Sequence, residues 1–129
     1  AVADNTPTLI FDEIDQGIGG RTGGIVGNKL WALTPTAQKI EVATSVPQHQ
    51  VICITHLPQI AAFGDTHFKI YKEIVDERTI TKIEELTHKQ RIDELANMLG
   101  TTTATTRQNA EELLQETVSS KQKAVGRKR

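Results

Sequence analysis

The fold class of this chain is indicated by the stretch Thr8-Leu-Ile-Phe-Asp-Glu-Ile-Asp15. It begins with a short, continuous apolar run, which is typical of a strand buried on both faces of a parallel sheet. A second run of this kind is Val51-Ile-Cys-Ile54. Between them, an apolar stripe over residues 25–33 has helical spacing. The order strand, helix, strand predicts neighbouring parallel strands joined by a crossover helix, and therefore an α/β fold.

The second half of the chain has a different pattern. Residues 67–75 and 78–86 alternate apolar and polar side chains around Asp76 and Glu77, which predicts an antiparallel hairpin with one solvent-exposed face. Further helices are predicted over residues 58–63, 88–99 and 107–118. Residues 1–118 are thus predicted to form one lobe, and residues 119–129 a basic, disordered tail.

Composition restricts the class of function. The chain has 129 residues, of which 37% are apolar and 24% charged, enough for one domain with a modest core. Residues 121–129 hold five of the 15 basic side chains, so residues 1–120 carry 10 basic against 16 acidic ones, a balance of −6. Such an acidic body is a poor sequence-independent binder of DNA. There is no apolar stretch of membrane-spanning length, no signal-peptide pattern is expected at the first residues, and the single Cys53 fits a reducing compartment.

Residues suited to chemistry follow both apolar strands. Asp12 and Glu13 end the first strand and His56 follows the second, and open α/β sheets bind ligands at these carboxyl ends. An apolar strand that ends in Asp-Glu is the Walker B pattern, in which the Asp holds Mg²⁺ and the Glu orients and deprotonates the attacking water. A neighbouring His can donate a hydrogen bond to a terminal phosphate in either protonation state. The alternative is that these residues only end strands in solvent.

A glycine cluster follows the first strand. Six of the nine glycines lie between Gly17 and Gly27, so the backbone there is expected to turn tightly or approach another group closely. The cluster is not a phosphate-binding loop, because the chain has no Gly-Lys dipeptide, and Thr22 stands where a dinucleotide fingerprint has its third glycine. Outside the cluster, Trp31 is predicted to lie in the core, and the other histidines are predicted to lie on the surface: His49, His67 and His88.

These motifs resemble the C-terminal part of the RecN family of bacterial DNA-repair proteins, which are relatives of the SMC ATPases. The most specific segments are Thr8–Asp15, Gly17-Ile-Gly-Gly-Arg-Thr-Gly23 and Cys53-Ile-Thr-His-Leu-Pro-Gln-Ile-Ala-Ala-Phe-Gly-Asp65. The resemblance covers roughly residues 6–115. It implies the C-terminal lobe of an ABC-type P-loop ATPase head. The phosphate-binding loop, the Q-loop and the signature motif would then precede residue 1.

The resemblance also implies a role for each matching residue. Asp12 would be the Walker B aspartate at Mg²⁺, Glu13 the general base for ATP hydrolysis, and His56 the switch histidine at the γ-phosphate. Asp15 would belong to the D-loop, which meets a second head across the bound ATP. The glycines of that loop would be Gly17, Gly19 and Gly20.

Partners and location follow from the same resemblance. ATP and Mg²⁺ are the expected cofactors, and the N-terminal half of the head, a second head and DNA are the expected partners, without a membrane, in the bacterial cytoplasm near the nucleoid. The isolated chain is expected not to hydrolyse ATP, because it lacks the phosphate-binding lysine. Residues 34–49 depart from the family pattern by their length and their Pro and Thr content. A non-catalytic interaction lobe and the head of another ABC-type ATPase, such as a transporter subunit, stay open as alternatives.

Overall fold

A parallel pair of strands forms the first part of the fold. The computed structural model describes residues 6–35 and 49–126. Strands β1 (Thr8–Asp12) and β2 (Gln50–Ile54) pair in parallel, which confirms the prediction from the two apolar runs. Within the described residues one face of this pair is open: Ile10 and its β2 neighbour Ile52 lie side by side on it, and Ile10 is 66% exposed.

Helix α1 (Gly20–Ala32) lies between these strands in sequence and begins inside the glycine cluster. Its glycines allow a close approach to α2 (Pro58–Ala61) and the residues around it. A Cβ atom on Gly27 would lie 2.5 Å from Cδ2 of Phe63, and one on Gly23 would collide with Leu57. Part of the glycine cluster therefore serves the contact between two helical segments.

The predicted hairpin is confirmed, and within the described residues both of its faces are exposed. Strands β3 (Phe68–Val75) and β4 (Arg78–Glu85) are antiparallel and form a sheet separate from β1 and β2. Asp76 and Glu77 have φ of 49° and 62°, the left-handed geometry of a two-residue type I′ turn. Every hairpin side chain except that of Lys69 is exposed, because alternation selects a face for burial but does not supply a partner to cover it.

Helices α3 (His88–Leu99) and α4 (Ala104–Gly126) complete the described chain. The predicted bounds of α3 are confirmed, and its start is fixed by reciprocal bonds in which Gln90 N donates to Thr87 Oγ1 and Thr87 N to Gln90 Oε1. The predicted disorder from residue 119 is wrong as far as Gly126, because α4 continues through this region. Residues 127–129 of the tail, and most of the unusual 34–49 segment, lie outside the described residues.

The core lies where α2, α3 and α4 meet. Its fully buried members are Ala62, Leu95, Ala96 and Ala110. Beside it, Nη2 of Arg91 donates to three carbonyl oxygens, of Ala61 at 3.1 Å, Ala62 at 3.0 Å and Gly64 at 2.5 Å. The guanidinium thereby caps the C-terminal end of α2, where the carbonyl oxygen of Ala61 also accepts from the backbone N–H of Gly64 over 3.1 Å. Among the described residues, no helix is long and apolar enough to cross a membrane.

A second contact joins α4 to α1. Trp31 is buried, as predicted, and its Nε1 donates to Oδ1 of Asp65 over 3.2 Å. Lys121 of α4 donates to the same oxygen over 3.3 Å and lies 5.2 Å from the centre of the Trp31 ring. Lys121 thereby links the part of α4 beyond residue 118 to Asp65 and Trp31.

The histidines outside the strand ends differ in their surroundings. The prediction of a surface position is wrong for His49, which is buried with its Nδ1 2.6 Å from the carbonyl oxygen of Thr6. His67 is half-buried, and burial, together with the charge of Arg91, lowers its pKa. His88 is exposed, as predicted.

Candidate active site

The two strand ends lie side by side at one edge of the parallel pair. Asp12, the last residue of β1, is paired with Ile54, the last residue of β2. The backbone N–H of Glu13 donates to the carbonyl oxygen of Ile54 over 3.1 Å, which extends the pairing one residue beyond β1. The Asp12-Glu13 pair and the Thr55-His56 pair therefore leave the sheet at the same edge. Asp12, Glu13 and His56 are exposed, and the His56 side chain is 77% accessible.

Glu13 has an uncommon backbone conformation. Its φ is 52°, in the left-handed region, which costs a non-glycine residue about 1 kcal/mol. Gln16 donates from Nε2 to Oε2 of Glu13 over 3.2 Å. The chain thus turns sharply at Glu13, the first residue after β1, and the carboxylate of Glu13 remains in solvent.

Asp15 lies beneath the end of β2 with a side chain that is 0% exposed. Its Oδ2 accepts hydrogen bonds from the Thr55 hydroxyl over 2.5 Å and from the backbone N–H of His56 over 3.0 Å. The same oxygen lies 3.4 Å from Nδ1 of His56. Burial acts to raise the pKa of Asp15, but the hydrogen bonds from Thr55 and His56 outweigh it and leave this pKa lowered.

This inward orientation of Asp15 is a feature that sequence reasoning missed. The motif places Asp15 in a loop, and only the pairing of β1 with β2 brings it to Thr55 and His56. The one signal for this contact in the sequence is Thr55, directly before His56, because its hydroxyl group can donate to a carboxylate. The other oxygen of Asp15, Oδ1, is buried and has no hydrogen-bond partner among the described residues.

The glycines of the candidate site fall into two groups. Gly17 has φ of 74°, and Gly19 caps the start of α1. A Cβ atom on either residue would meet no atom within 4 Å. A Cβ atom on Gly20 would lie 2.8 Å from Nε2 of Gln59, the end of a flexible side chain that can move aside. Packing within the described chain does not explain Gly19, where the helix begins beside open space.

The candidate site offers exposed carboxylates to a metal ion. Within residues 6–35 and 49–126, no group of three His, Cys, Asp or Glu side chains is placed to hold a metal ion by itself. Mg²⁺ usually takes one or two carboxylates together with substrate phosphates and water. Asp12 and Glu13 are both exposed carboxylates at this strand end, and their chemistry is compatible with a magnesium site of this kind.

Comparison with known proteins identifies the family. DNA repair protein RecN of Xylella fastidiosa is 45% identical to this chain over 97 residues, and that of Treponema pallidum is 42% identical over 113 residues. The match covers 75% and 86% of this chain, respectively. The chain belongs to the RecN family. The resemblance drawn from the strand-end motifs is thereby confirmed.

The RecN relatives are much longer than the region that matches. The chain spans 15% of the length of the Xylella fastidiosa protein, and 17% of that of RecN from Bacillus subtilis, to which it is 36% identical over 111 residues. No family model matches the chain. The mixed α/β fold, with its parallel pair, hairpin and late helices, is consistent with membership of the RecN family.

Proposed function

We propose that this chain forms part of the ATP-hydrolysing head of a RecN protein that acts in the repair and recombination of DNA double-strand breaks. The observation that carries this proposal is the common edge at which Asp12, Glu13 and His56 leave the parallel strands. The matched relatives, which carry the name DNA repair protein RecN, support the repair role. A cytoplasmic, nucleoid-associated location follows from that role.

Each of these residues has a distinct task in ATP hydrolysis. Asp12 would hold Mg²⁺, which neutralises phosphate charge when it is bound. Glu13 orients and deprotonates the attacking water, a contribution that is typically about 10²- to 10⁴-fold. His56 donates a hydrogen bond to the terminal phosphate of ATP, which stabilises the charge that develops there.

The backbone of Glu13 supports its role as the base. A left-handed glutamate costs free energy that a glycine at this position would not. Sparsely populated backbone conformations of this kind cluster at functional sites, where the rest of the fold holds them in place. The turn also releases the Glu13 side chain from the alternation of β1, so that it extends past the strand end.

The loop after Glu13 is the proposed D-loop. Open space around Gly17 and Gly19 would allow the backbone of a second head to approach across the ATP. Gly20 would support this loop from inside, through its contact with Gln59. Asp15 anchors the loop to the end of β2 by its bonds to Thr55 and His56.

The open face of the parallel strands supports the proposed partnership with the rest of the head. Ile10, Ile52 and Ile54 expose 66%, 43% and 42% of their surface on this face. Other parts of a RecN protein would cover it and supply the phosphate-binding loop, the Q-loop and the signature motif. DNA binding by the acidic body is not expected, so DNA would bind elsewhere on the full protein.

A non-catalytic interaction lobe is the second candidate. The exposed apolar face by itself would suit a lobe that only pairs with a partner. The combination of Asp12, Glu13 and His56 at one edge argues for chemistry instead. A transporter subunit, the other alternative, is disfavoured by the matches to RecN relatives.

The rate of ATP hydrolysis tests the proposal. In a full-length RecN protein that carries this chain as the matching segment, we expect His56→Ala to lower kcat at least about tenfold. His88→Ala is the matched control, because His88 is an exposed histidine away from the strand ends. A wild-type rate in the His56→Ala variant, or no hydrolysis by the wild type, would contradict the proposal.

A further inference from the structure

We propose that Asp15 is the positioning residue of His56, and that it holds both the backbone and the imidazole of His56 from inside the fold. This inference rests on the proposed function for its catalytic consequence, and on geometry alone for the positioning itself. It gives Asp15 a task within its own head, in addition to any part that its loop has in contact with a second head.

A single oxygen of Asp15 accepts both hydrogen bonds from the residues that follow β2. Oδ2 of Asp15 accepts from the hydroxyl of Thr55 and from the backbone N–H of His56, over 2.5 Å and 3.0 Å. Hydrogen bonds to an ionised acceptor are stronger than bonds between neutral groups. The first residues after β2 are therefore held by a carboxylate from the segment that follows β1.

A relay extends this restraint to the start of α2. The oxygen of the Thr55 hydroxyl, which donates to Asp15, also accepts from the backbone N–H of Leu57 over 3.0 Å. The backbone on both sides of His56 is thus tied to Asp15, directly at His56 and through Thr55 at Leu57. The path of the chain at His56 depends on this one buried side chain.

The ring of His56 needs such a restraint. Its side chain is 77% exposed, so packing alone leaves it free to change rotamer. Nδ1 of the ring lies 3.4 Å from Oδ2 of Asp15, within ion-pair distance but longer than an ordinary hydrogen bond, and this orientation leaves Nε2 for a phosphate oxygen. A group that is already oriented before the reaction loses less entropy in the transition state.

Burial of the Asp15 carboxylate costs free energy. The hydrogen bonds from Thr55 and His56 offset only part of this cost. Its Oδ1 is enclosed without a hydrogen-bond partner among the described residues. Leaving a buried polar atom unpaired disfavours folding. A carboxylate kept at this position at that cost is consistent with a role in orienting His56.

A double-mutant cycle in a full-length RecN protein carrying this chain tests the catalytic consequence. We expect Asp15→Asn to lower kcat at least about tenfold with KM for ATP changed less than about threefold, because positioning acts on the transition state. In the His56→Ala background, Asp15→Asn should cause no further loss. Full, multiplicative losses in the double variant would overturn the proposal. Asp93→Asn, which changes a half-exposed carboxylate of α3 that pairs with Arg107, is the control.

Amide hydrogen exchange tests the positioning without any catalytic assay. In the same full-length RecN protein, the amide of His56 should exchange at least about tenfold faster in Asp15→Asn, while the amide of the buried Leu95 keeps its rate. Unchanged protection at His56 would contradict the proposal. If Asp15→Asn does not fold, Thr55→Val takes its place, with Thr55→Ser as the variant that keeps the hydroxyl.

The two experiments separate the possible failures. If the wild-type protein does not hydrolyse ATP, the proposed function is rejected. The exchange rate of the His56 amide then tests the positioning role of Asp15 independently of catalysis. A protein that loses activity in His56→Ala but not in Asp15→Asn keeps the proposed function and rejects the role of Asp15.

Discussion

The backbone N–H of Glu13 donates to the carbonyl oxygen of Ile54 over 3.1 Å, although Glu13 itself has left the extended conformation, with φ of 52°. The bond joins the proposed base to the strand that leads to His56. It fixes the point at which β1 ends, and the reversal of φ at that point directs the Glu13 side chain beyond the sheet. The position of the Glu13 side chain and the strain in its backbone therefore both follow from the turn at the end of β1.

Replacement of Glu13 by glycine should stabilise the chain. Glycine adopts a positive φ without a steric penalty, so we expect Glu13→Gly to raise the free energy of unfolding by about 0.5–1 kcal/mol in urea denaturation. Glu13→Ala is the control, because it removes the carboxylate and keeps the Cβ atom that causes the strain. Equal stability of the two variants would show that the backbone at Glu13 is not strained.

Two neighbouring glycines of α1 should respond in opposite ways to alanine. Gly27→Ala should destabilise the chain by about 1–3 kcal/mol, because the added methyl group would overlap Phe63. Gly24→Ala should stabilise it by up to about 1 kcal/mol, since no atom lies within 4 Å of the added group and alanine favours helix. Thermal unfolding of both variants measures this difference. A stabilising Gly27→Ala would refute the close contact of α1 with Phe63.

Arg91 should matter as a cap of α2. Arg91→Ala removes the donor to the carbonyl oxygens of Ala61, Ala62 and Gly64, and we expect a loss of about 2–3 kcal/mol in urea unfolding. Arg91→Lys should recover only part of this loss, because an ammonium group lacks the planar array of donors. A loss below about 0.5 kcal/mol in Arg91→Ala would show that these carbonyl groups are satisfied by water.

The stability of the chain should depend on pH through Asp15. Its pKa is lowered below the ordinary value of 3.8, because hydrogen bonds from Thr55 and His56 outweigh the effect of burial. A lowered pKa means that the charged carboxylate stabilises the fold above that value, and that this contribution is lost as the pH falls through the lowered pKa. Below about pH 4, the free energy of unfolding should therefore fall more steeply in the wild type than in Asp15→Asn. Parallel slopes in urea unfolding at a series of pH values would count against this role of Asp15.

The local features of the fold could be predicted from the sequence. The apolar runs that form β1 and β2 gave the parallel pair, and the alternation around Asp76 and Glu77 gave the hairpin. Thr87, Gln90 and Gly100 mark the ends of α3 by local hydrogen bonds and turn geometry. Each of these signals lies within a few residues of the element that it specifies, and so it can be read before the chain is folded.

The features that depend on distant partners could not be predicted in this way. Asp15 turns inward because Thr55 and His56 are brought to it by the pairing of two strands. Beyond residue 118, α4 is linked through Lys121 to Asp65 and Trp31, which lie far away in sequence. The composition of residues 119–126 does not reveal contacts with residues far away in sequence. The basic, polar character of this segment by itself therefore indicates disorder.

The chemical type of the candidate site could be predicted from the sequence, but its geometry could not. The order of Asp12, Glu13 and His56 along the chain indicated a shared strand edge, and the pairing of β1 with β2 has that form. The φ of Glu13 and the division of the glycines between helix packing and the open loop depend on tertiary contacts.

The most direct test of the central claim is the rate of ATP hydrolysis by a full-length RecN protein that carries this chain with Glu13→Gln. The amide keeps the size of the side chain and removes its basicity. We expect kcat to fall by about 10²-fold or more, while the affinity for Mg-ATP stays within about threefold of the wild-type value. Glu111→Gln, the same exchange at an exposed glutamate of α4, is the control. Hydrolysis by Glu13→Gln at the wild-type rate would contradict the assignment of Glu13 as the base, and with it the account of this strand edge as an ATPase site.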